Sequence, residues 1–146
     1  MKLCMIGTGY VGLVSGTCFA DIGNQVICVD KDLDKIKKLK LGKSPIYEPG
    51  LDELIKKNYL AKRLSFTSDI KEAINSSDVI FICVGTPAKK RSLNVDLSYV
   101  QKCCKEILEF TQKKKILVTK KYLASPSGVP KGPYMKCYIL KTYNNL

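Results

Sequence analysis

The chain has no histidine and no tryptophan among its 146 residues. Without histidine, Ser-His and Cys-His catalytic pairs and histidine-ligated metals are excluded within it. Acidic side chains are scarce: 13 Asp and Glu stand against 25 Lys and Arg, a formal net charge of +12. Such an excess attracts polyanions but does not define a fold. The lysines are scattered between apolar positions and no aromatic–lysine interleaving accompanies them. A solvated basic face is therefore expected, and no nucleic-acid partner. The seven cysteines, Cys4, Cys18, Cys28, Cys83, Cys103, Cys104 and Cys137, contain no C-x-x-C pair. The spacing of a structural zinc site is missing, and no metal is expected. No apolar stretch reaches the length of a membrane span, so no membrane partner is expected either. Residues 3–20 are uncharged in the manner of a signal peptide, but Gly7, Gly9, Gly12 and Gly16 interrupt them. With cysteines that suit a reducing compartment, a cytoplasmic protein is expected.

What is present is a core and an ordered succession of elements. Hydrophobic residues make up 45% of the chain, too many for a disordered segment, and the length suits one ordinary domain. Short apolar runs at 3–6, 25–29, 64–67, 79–84 and 116–119 read as strands. The run at 79–84 is bounded by Asp78 and Gly85 and is apolar throughout, so both of its faces must be covered. Apolar residues at helical spacing occupy 10–22, 31–41, 51–60 and 95–110, with Gly23 and Gly42 as stops for the first two. Ser68 is expected to cap a short helix through residue 74. Ser44 to Gly50 is a loop held by Pro45 and Pro49. This alternation implies right-handed βαβ crossovers, hence an α/β fold: a Rossmann-type doubly wound parallel sheet with helices on both faces. Beyond Lys120 no regular pattern survives, and three of the six prolines fall there, Pro126, Pro130 and Pro133. The expected organisation is a dinucleotide-binding domain over 1–120 and an irregular basic tail over 121–146, in which only 138–140 has the makings of a short strand.

The chemistry sits at the first strand-to-helix junction. Gly7-Thr8-Gly9-Tyr10-Val11-Gly12 is G-x-G-x-x-G, placed directly after the first strand and opening the first helix, the setting a dinucleotide fingerprint requires. Gly7 allows the tight turn, Gly9 lets a pyrophosphate approach the backbone, and Gly12 lets helix and strand pack closely. The helix N-terminus then offers amide groups and partial positive charge to the phosphates. Asp30 ends the second strand, 18 residues past Gly12. A carboxylate there accepts from both ribose hydroxyls of NAD and repels the extra phosphate of NADP. The nearby cations Lys31 and Lys35 work against that repulsion. Thr86, in the Gly85-Thr86-Pro87 loop after the fourth strand, lies where such sheets form their ligand crevice.

These residues resemble the UDP-glucose/GDP-mannose dehydrogenase family. "MKLCMIGTGYVGLVSG" at 1–16, "VICVDKDLDKI" at 26–36, "SPIYEPGLDEL" at 44–54, "RLSFTSDI" at 63–70, "DVIFICVGTP" at 78–87, "DLSYV" at 96–100 and "ILVTK" at 116–120 follow the family's order. The Pro45 to Gly50 loop is the most specific of them, and the UDP-glucose branch fits best. The resemblance implies NAD-dependent oxidation of a sugar C6 alcohol to a carboxylate through a thiohemiacetal on a cysteine, with UDP-glucose or a related nucleotide sugar as substrate and homo-oligomers for a full-length form. It implies cofactor contacts from Gly7, Gly9, Val11 through its backbone N–H, Gly12, Asp30, Lys35 over the adenosine ribose, and Thr86.

The departures bear on activity. After "VTK" the family continues Ser-Thr, an apolar residue, Pro and Val, and that Thr helps place the catalytic water. Here Lys121, Tyr122, Leu123, Ala124 and Ser125 follow instead. Cys137, between Lys136 and Tyr138, does not match the family's nucleophilic loop, and no residue here is assigned a catalytic role. The resemblance thus implies the NAD-binding part of a truncated UDP-glucose 6-dehydrogenase, inactive alone. One permitted coding of residues 121–125, read one base later, spells Ser-Thr-Leu-Pro-Val, so an out-of-frame tail is also expected. Two other functions stay open: a standalone nucleotide-binding or regulatory module without catalysis, and a polyanion binder whose affinity falls steeply with salt.

Overall fold

Helices and strands alternate from the first residues. In chain order the elements are β1 Lys2–Ile6, α1 Tyr10–Asp21, β2 Gln25–Val29, α2 Leu33–Lys40, α3 Leu51–Leu60, β3 Leu64–Thr67, α4 Ile70–Ser76, β4 Val79–Ile82, α5 Ser98–Phe110, β5 Lys115–Ala124 and β6 Pro130–Leu140. The structure, a computed structural model, describes residues 1–87, 96–124 and 130–140. The strands form one sheet in the order β3-β2-β1-β4-β5-β6. The first five are mutually parallel, with Leu3 opposite both Val26 and Val79. The chain runs from β1 outward to β3, then crosses back to start β4 on the other side of β1. The order reverses between β1 and β4, and a crevice opens at their carboxyl ends. This is the doubly wound architecture expected from the sequence.

The core lies on both faces of that sheet. Side chains alternate along β1, so Leu3 and Met5 join one buried cluster while Cys4 and Ile6 join the other. Leu13 and Ala20 of α1, Ile36 and Leu39 of α2, and Leu51 and Ile55 of α3 complete the first cluster. Ala73 and Ile74 of α4 and Cys103 and Ile107 of α5 complete the second. Because both faces are covered, the central strands are apolar without alternation. Packing is tight where α1 crosses the sheet: a Cβ on Gly16 would lie 3.0 Å from both Cys28 Sγ and Met5 Cγ, which would have to give way.

Three expectations shift in detail. The second helix begins at Leu33 rather than at 31, because the Asp32 carboxylate accepts from the amides of Asp34 and Lys35 and caps it there. Asp69, not Ser68, caps α4, its carboxylate accepting from Glu72 N at 3.0 Å. The helix expected over 95–110 starts at Ser98, and residue 95 lies outside the described residues.

The larger correction concerns the end of the chain. Over its described residues, 121–124 and 130–140, the expected irregular tail is regularly paired: β5 runs on to Ala124, and β6 lies antiparallel along it, from Lys115 opposite Leu140 to Ala124 opposite Pro130, with a register shift between Lys121 and Leu123. The backbone of β5 needs a hydrogen-bonding partner on its open side, and β6 supplies one. Proline and glycine hid the strand in the sequence, yet an edge strand has one side without a ladder and tolerates them there. At the opposite end of the sheet β5 is anchored by Lys115, which is buried and donates from Nζ to the carbonyls of Asn75 and Ser77 at the end of α4. Burial lowers its pKa.

Candidate functional site

The turn after β1 is fixed by backbone contacts. Gly7 has φ +106°, in the left-handed region that favours glycine. Its amide donates to Val29 O at 2.7 Å, and a Cβ there would lie 2.9 Å from Cys83 O. Gly12, in the first turn of α1, sits so close to this turn that a Cβ would come within 1.9 Å of Gly7 O. These two glycines let α1 start against the ends of β1 and β4. Gly9 differs. It is the N-cap of α1 at φ −79°, ψ −171°, a conformation open to any residue, and a Cβ there would meet nothing within 4 Å. The first helical bond of α1 runs from Leu13 N to Gly9 O, so the amides of Tyr10, Val11 and Gly12 precede the ladder.

Two clefts meet at Gly9. The first, of about 380 Å³, runs over the carboxyl ends of β1 and β2, with Gly7, Gly9, Asp30, Lys35 and Tyr99 on its walls. The second, of about 240 Å³, lies beyond β4 and is lined by Val11, Thr86 and Thr119 among others. Gly9, Cys83, Val84 and Gly85 line both. Of the residues singled out from the sequence, Gly7, Gly9, Asp30 and Lys35 thus border the first cleft and Val11 and Thr86 the second. Gly12 lines neither and serves the packing beneath them.

Asp30 is the electrostatic centre of the first cleft. Its Oδ2 accepts from Thr8 N at 3.0 Å and from Thr8 Oγ1 at 2.6 Å, and its Oδ1 accepts from Asp32 N at 3.1 Å. Lys35 Nζ stands 3.8 Å from Oδ2. Burial alone would push the carboxyl up. The hydrogen bonds from Thr8 and Asp32 and the Lys35 charge outweigh it and hold the pKa below the ordinary carboxylate value. The other cation on the wall of this cleft, Lys31, pairs with Glu106 Oε1 at 3.1 Å.

Sequence reasoning missed Thr8, Thr119 and the tether of the proline loop. Thr8 occupies a variable position of the glycine motif, and only its placement between two turn glycines hinted at it. Thr119 closes the apolar run of β5, whose length gave no sign of a polar wall. The Pro45 to Gly50 loop is tied to the glycine turn by Tyr10 Oη, which donates to Tyr47 O at 2.7 Å.

The open cradle at Gly9 fits a dinucleotide: nothing in the protein demands glycine there, while a passing pyrophosphate would. A parallel sheet with its switch point beside a glycine turn, a helix N-terminus and an ionised carboxylate at the end of β2 defines a dinucleotide-binding domain of the Rossmann class. The chain belongs to the UDP-glucose/GDP-mannose dehydrogenase family, whose NAD binding domain matches residues 1–132. The match runs 12 residues past Lys120, where the sequence reading ended it. The chain is 52% identical over 132 residues to UDP-glucose 6-dehydrogenase of Rhizobium meliloti, covering 90% of this chain and 29% of the relative. It is 53% identical over 131 residues to UDP-glucose 6-dehydrogenase TuaD of Bacillus subtilis, covering 90% and 27%. A crystal structure of GDP-mannose dehydrogenase from Pseudomonas aeruginosa in a ternary complex superposes with a TM-score of 0.73 at 45% identity, over 75% of this chain and 25% of that one. The chain thus spans less than a third of the length of these proteins. Among the described residues no helix is long and apolar enough to cross a membrane.

Proposed function

We propose that this chain forms the NAD-holding part of a UDP-glucose 6-dehydrogenase, an enzyme that oxidises the sugar C6 alcohol to the carboxylate. The observation that carries the reading is the pairing of the open cradle at Gly9 with the ionised Asp30 carboxylate across one cleft. The preference for UDP-glucose over GDP-mannose is supported by the identities, 52% and 53% over 90% of the chain against 47% over 73% for a GDP-mannose 6-dehydrogenase of Pseudomonas aeruginosa.

In this reading the amides at the start of α1, Val11 among them, receive the pyrophosphate. Gly7 and Gly12 hold that turn in place. Asp30 and Lys35 take the adenosine ribose, and Thr86 borders the nicotinamide end in the second cleft. When bound, NAD supplies the oxidising equivalent. In this reading the 146-residue chain alone contributes no sugar oxidation: none of its cysteines matches the family's nucleophilic loop, and the exposed Cys18 lines neither cleft. Burial pushes Cys4 up to about 12 and raises Cys28, Cys103 and Cys104 as well, and the thiolate is the attacking form.

The test is calorimetry and thermal melting of the chain with NAD, followed by an absorbance assay with NAD and UDP-glucose. Saturating NAD, at about 100 times its Kd, is expected to stabilise the fold by about 2.7 kcal/mol, with no NADH formed. Absence of NAD binding, or steady NADH formation, overturns the reading.

A further inference from the structure

We propose that Thr8 is a positioning residue that sets the affinity for NAD and its selection over NADP, acting entirely through Asp30. This rests on the NAD-binding reading above and adds the device that tunes it.

Thr8 is 1% exposed, so it offers a ligand no surface of its own. Both of its donors go to one atom: backbone N at 3.0 Å and Oγ1 at 2.6 Å from Asp30 Oδ2. A carboxylate has about four acceptor positions, two on each oxygen. Thr8 takes both on Oδ2, and Asp32 N takes one on Oδ1 at 3.1 Å. One acceptor position is left, and it belongs to Oδ1, on a side chain that lines the first cleft. Thr8 therefore decides which oxygen a ribose meets. Lys35 also lines that cleft, with Nζ 3.8 Å from Oδ2, beyond hydrogen-bond range of it.

A ribose with two free hydroxyls suits this arrangement, one donating to Oδ1 and the other accepting from Lys35. A 2′-phosphate does not. It brings negative charge against a carboxylate whose remaining acceptor has nothing to receive from it. Without the Thr8 hydroxyl, the carboxylate keeps one amide on each oxygen, Thr8 N on Oδ2 and Asp32 N on Oδ1, and gains an open acceptor position on Oδ2. It can then present either oxygen. The clamp lies between the glycine turn and the end of β2, so the same contact also sets the distance from cradle to carboxylate.

The experiment measures NAD and NADP binding by calorimetry for the 146-residue chain and for Thr8→Val, Thr8→Ser and Asp30→Ala, with thermal melts alongside. Thr8→Val keeps the shape and the amide but removes the hydroxyl. It is expected to weaken NAD binding about tenfold, the scale of one hydrogen bond to an ionised group, and to leave NADP binding unchanged or improved. Thr8→Ser is expected to restore both affinities, which a purely structural role for the threonine methyl would not. Thr8→Val added to Asp30→Ala, which leaves no side-chain acceptor for the hydroxyl, is expected to have no further effect on NAD. If Thr8→Val melts below the assay temperature, Thr8→Ala is read in the same way. Equal loss of NAD and NADP, no loss of NAD, or failure of Thr8→Ser to restore the ratio overturns the proposal alone. A wild-type chain that binds neither dinucleotide overturns the NAD-binding reading and the proposal with it.

Discussion

The two sides of the turn after β1 are built on opposite terms. Toward the protein, Gly7 and Gly12 are hemmed in by backbone: a Cβ would lie 2.9 Å from Cys83 O at the first and 1.9 Å from Gly7 O at the second. Toward the cleft, Gly9 faces open space, with nothing within 4 Å of a Cβ. One motif therefore holds glycines of two kinds. Two are explained by how α1 leaves the sheet, and one is explained only by something that comes to the chain from outside. The same division runs through the carboxylate of Asp30, where three acceptor positions serve the fold and one faces outward. Fold and binding are separable at the level of single atoms, and substitutions on the two sides should fail in different assays.

The largest effect is expected from Gly12→Ala. The Gly7 carbonyl cannot yield without moving the turn, so overpacking should cost about 1–3 kcal/mol, and the melting temperature without any ligand should fall by several degrees. Gly9→Ser sharpens the contrast. Serine suits an N-cap at least as well as glycine, so the ligand-free melt should stay within about 2 °C of wild type, a change of roughly 0.5 kcal/mol at most. NAD binding should nevertheless weaken at least about tenfold, near 1.4 kcal/mol, because the Cβ and hydroxyl fill the cradle. If Gly9→Ser melts as low as Gly12→Ala, the division between the two sides is wrong.

A smaller effect concerns acid stability. The pKa of Asp30 in the fold lies below its ordinary value of 3.8. A carboxyl with a depressed pKa contributes stability that is present above the unfolded value and is lost as pH falls through the folded one. Urea unfolding from pH 6 downward should therefore show wild-type stability falling below about pH 4, and Asp30→Asn should flatten that fall. An unchanged slope in Asp30→Asn would assign the acid sensitivity to other carboxylates, Asp21 first, whose pKa is lowered by its hydrogen bonds from Lys57 and Asn58.

The central architecture was legible because the signals were local and agreed with one another. The run at 79–84 has one physical solution, a strand covered on both faces, and the glycine motif has one setting that explains all three of its glycines. Capping was legible only by type: Ser68 and Asp69 are both good caps, and only the backbone geometry shows which one reaches Glu72 N. Strand β6 was not legible because its stabilisation is non-local. Pro130, Gly132 and Pro133 spoil any alternation, and only the open edge of β5 makes the pairing favourable. Thr8 was overlooked for a related reason. Its importance lies in a partner 22 residues away, and no spacing rule marks a threonine that serves a carboxylate on the next strand.

The smallest effect should come from the second ion pair beside the cleft. Lys31 meets Glu106 at 3.1 Å, closer than Lys35 comes to Asp30 at 3.8 Å, yet the shorter pair should matter less. The Lys31 side chain is 64% exposed, so solvent screens its charge. Glu106 Oε2 is buried with no hydrogen-bond partner among the described residues, and that desolvation offsets what the attraction returns. Glu106→Gln should therefore change unfolding stability by less than about 0.5 kcal/mol in denaturant titrations, whereas Asp30→Asn sets a donor NH2 against an N–H in place of one of the two accepting oxygens and should be clearly measurable. If Glu106→Gln proved the more damaging of the two, proximity of charges would be the better guide to this cleft, and the hydrogen-bonded clamp between Thr8 and Asp30 would lose its place at the centre of it.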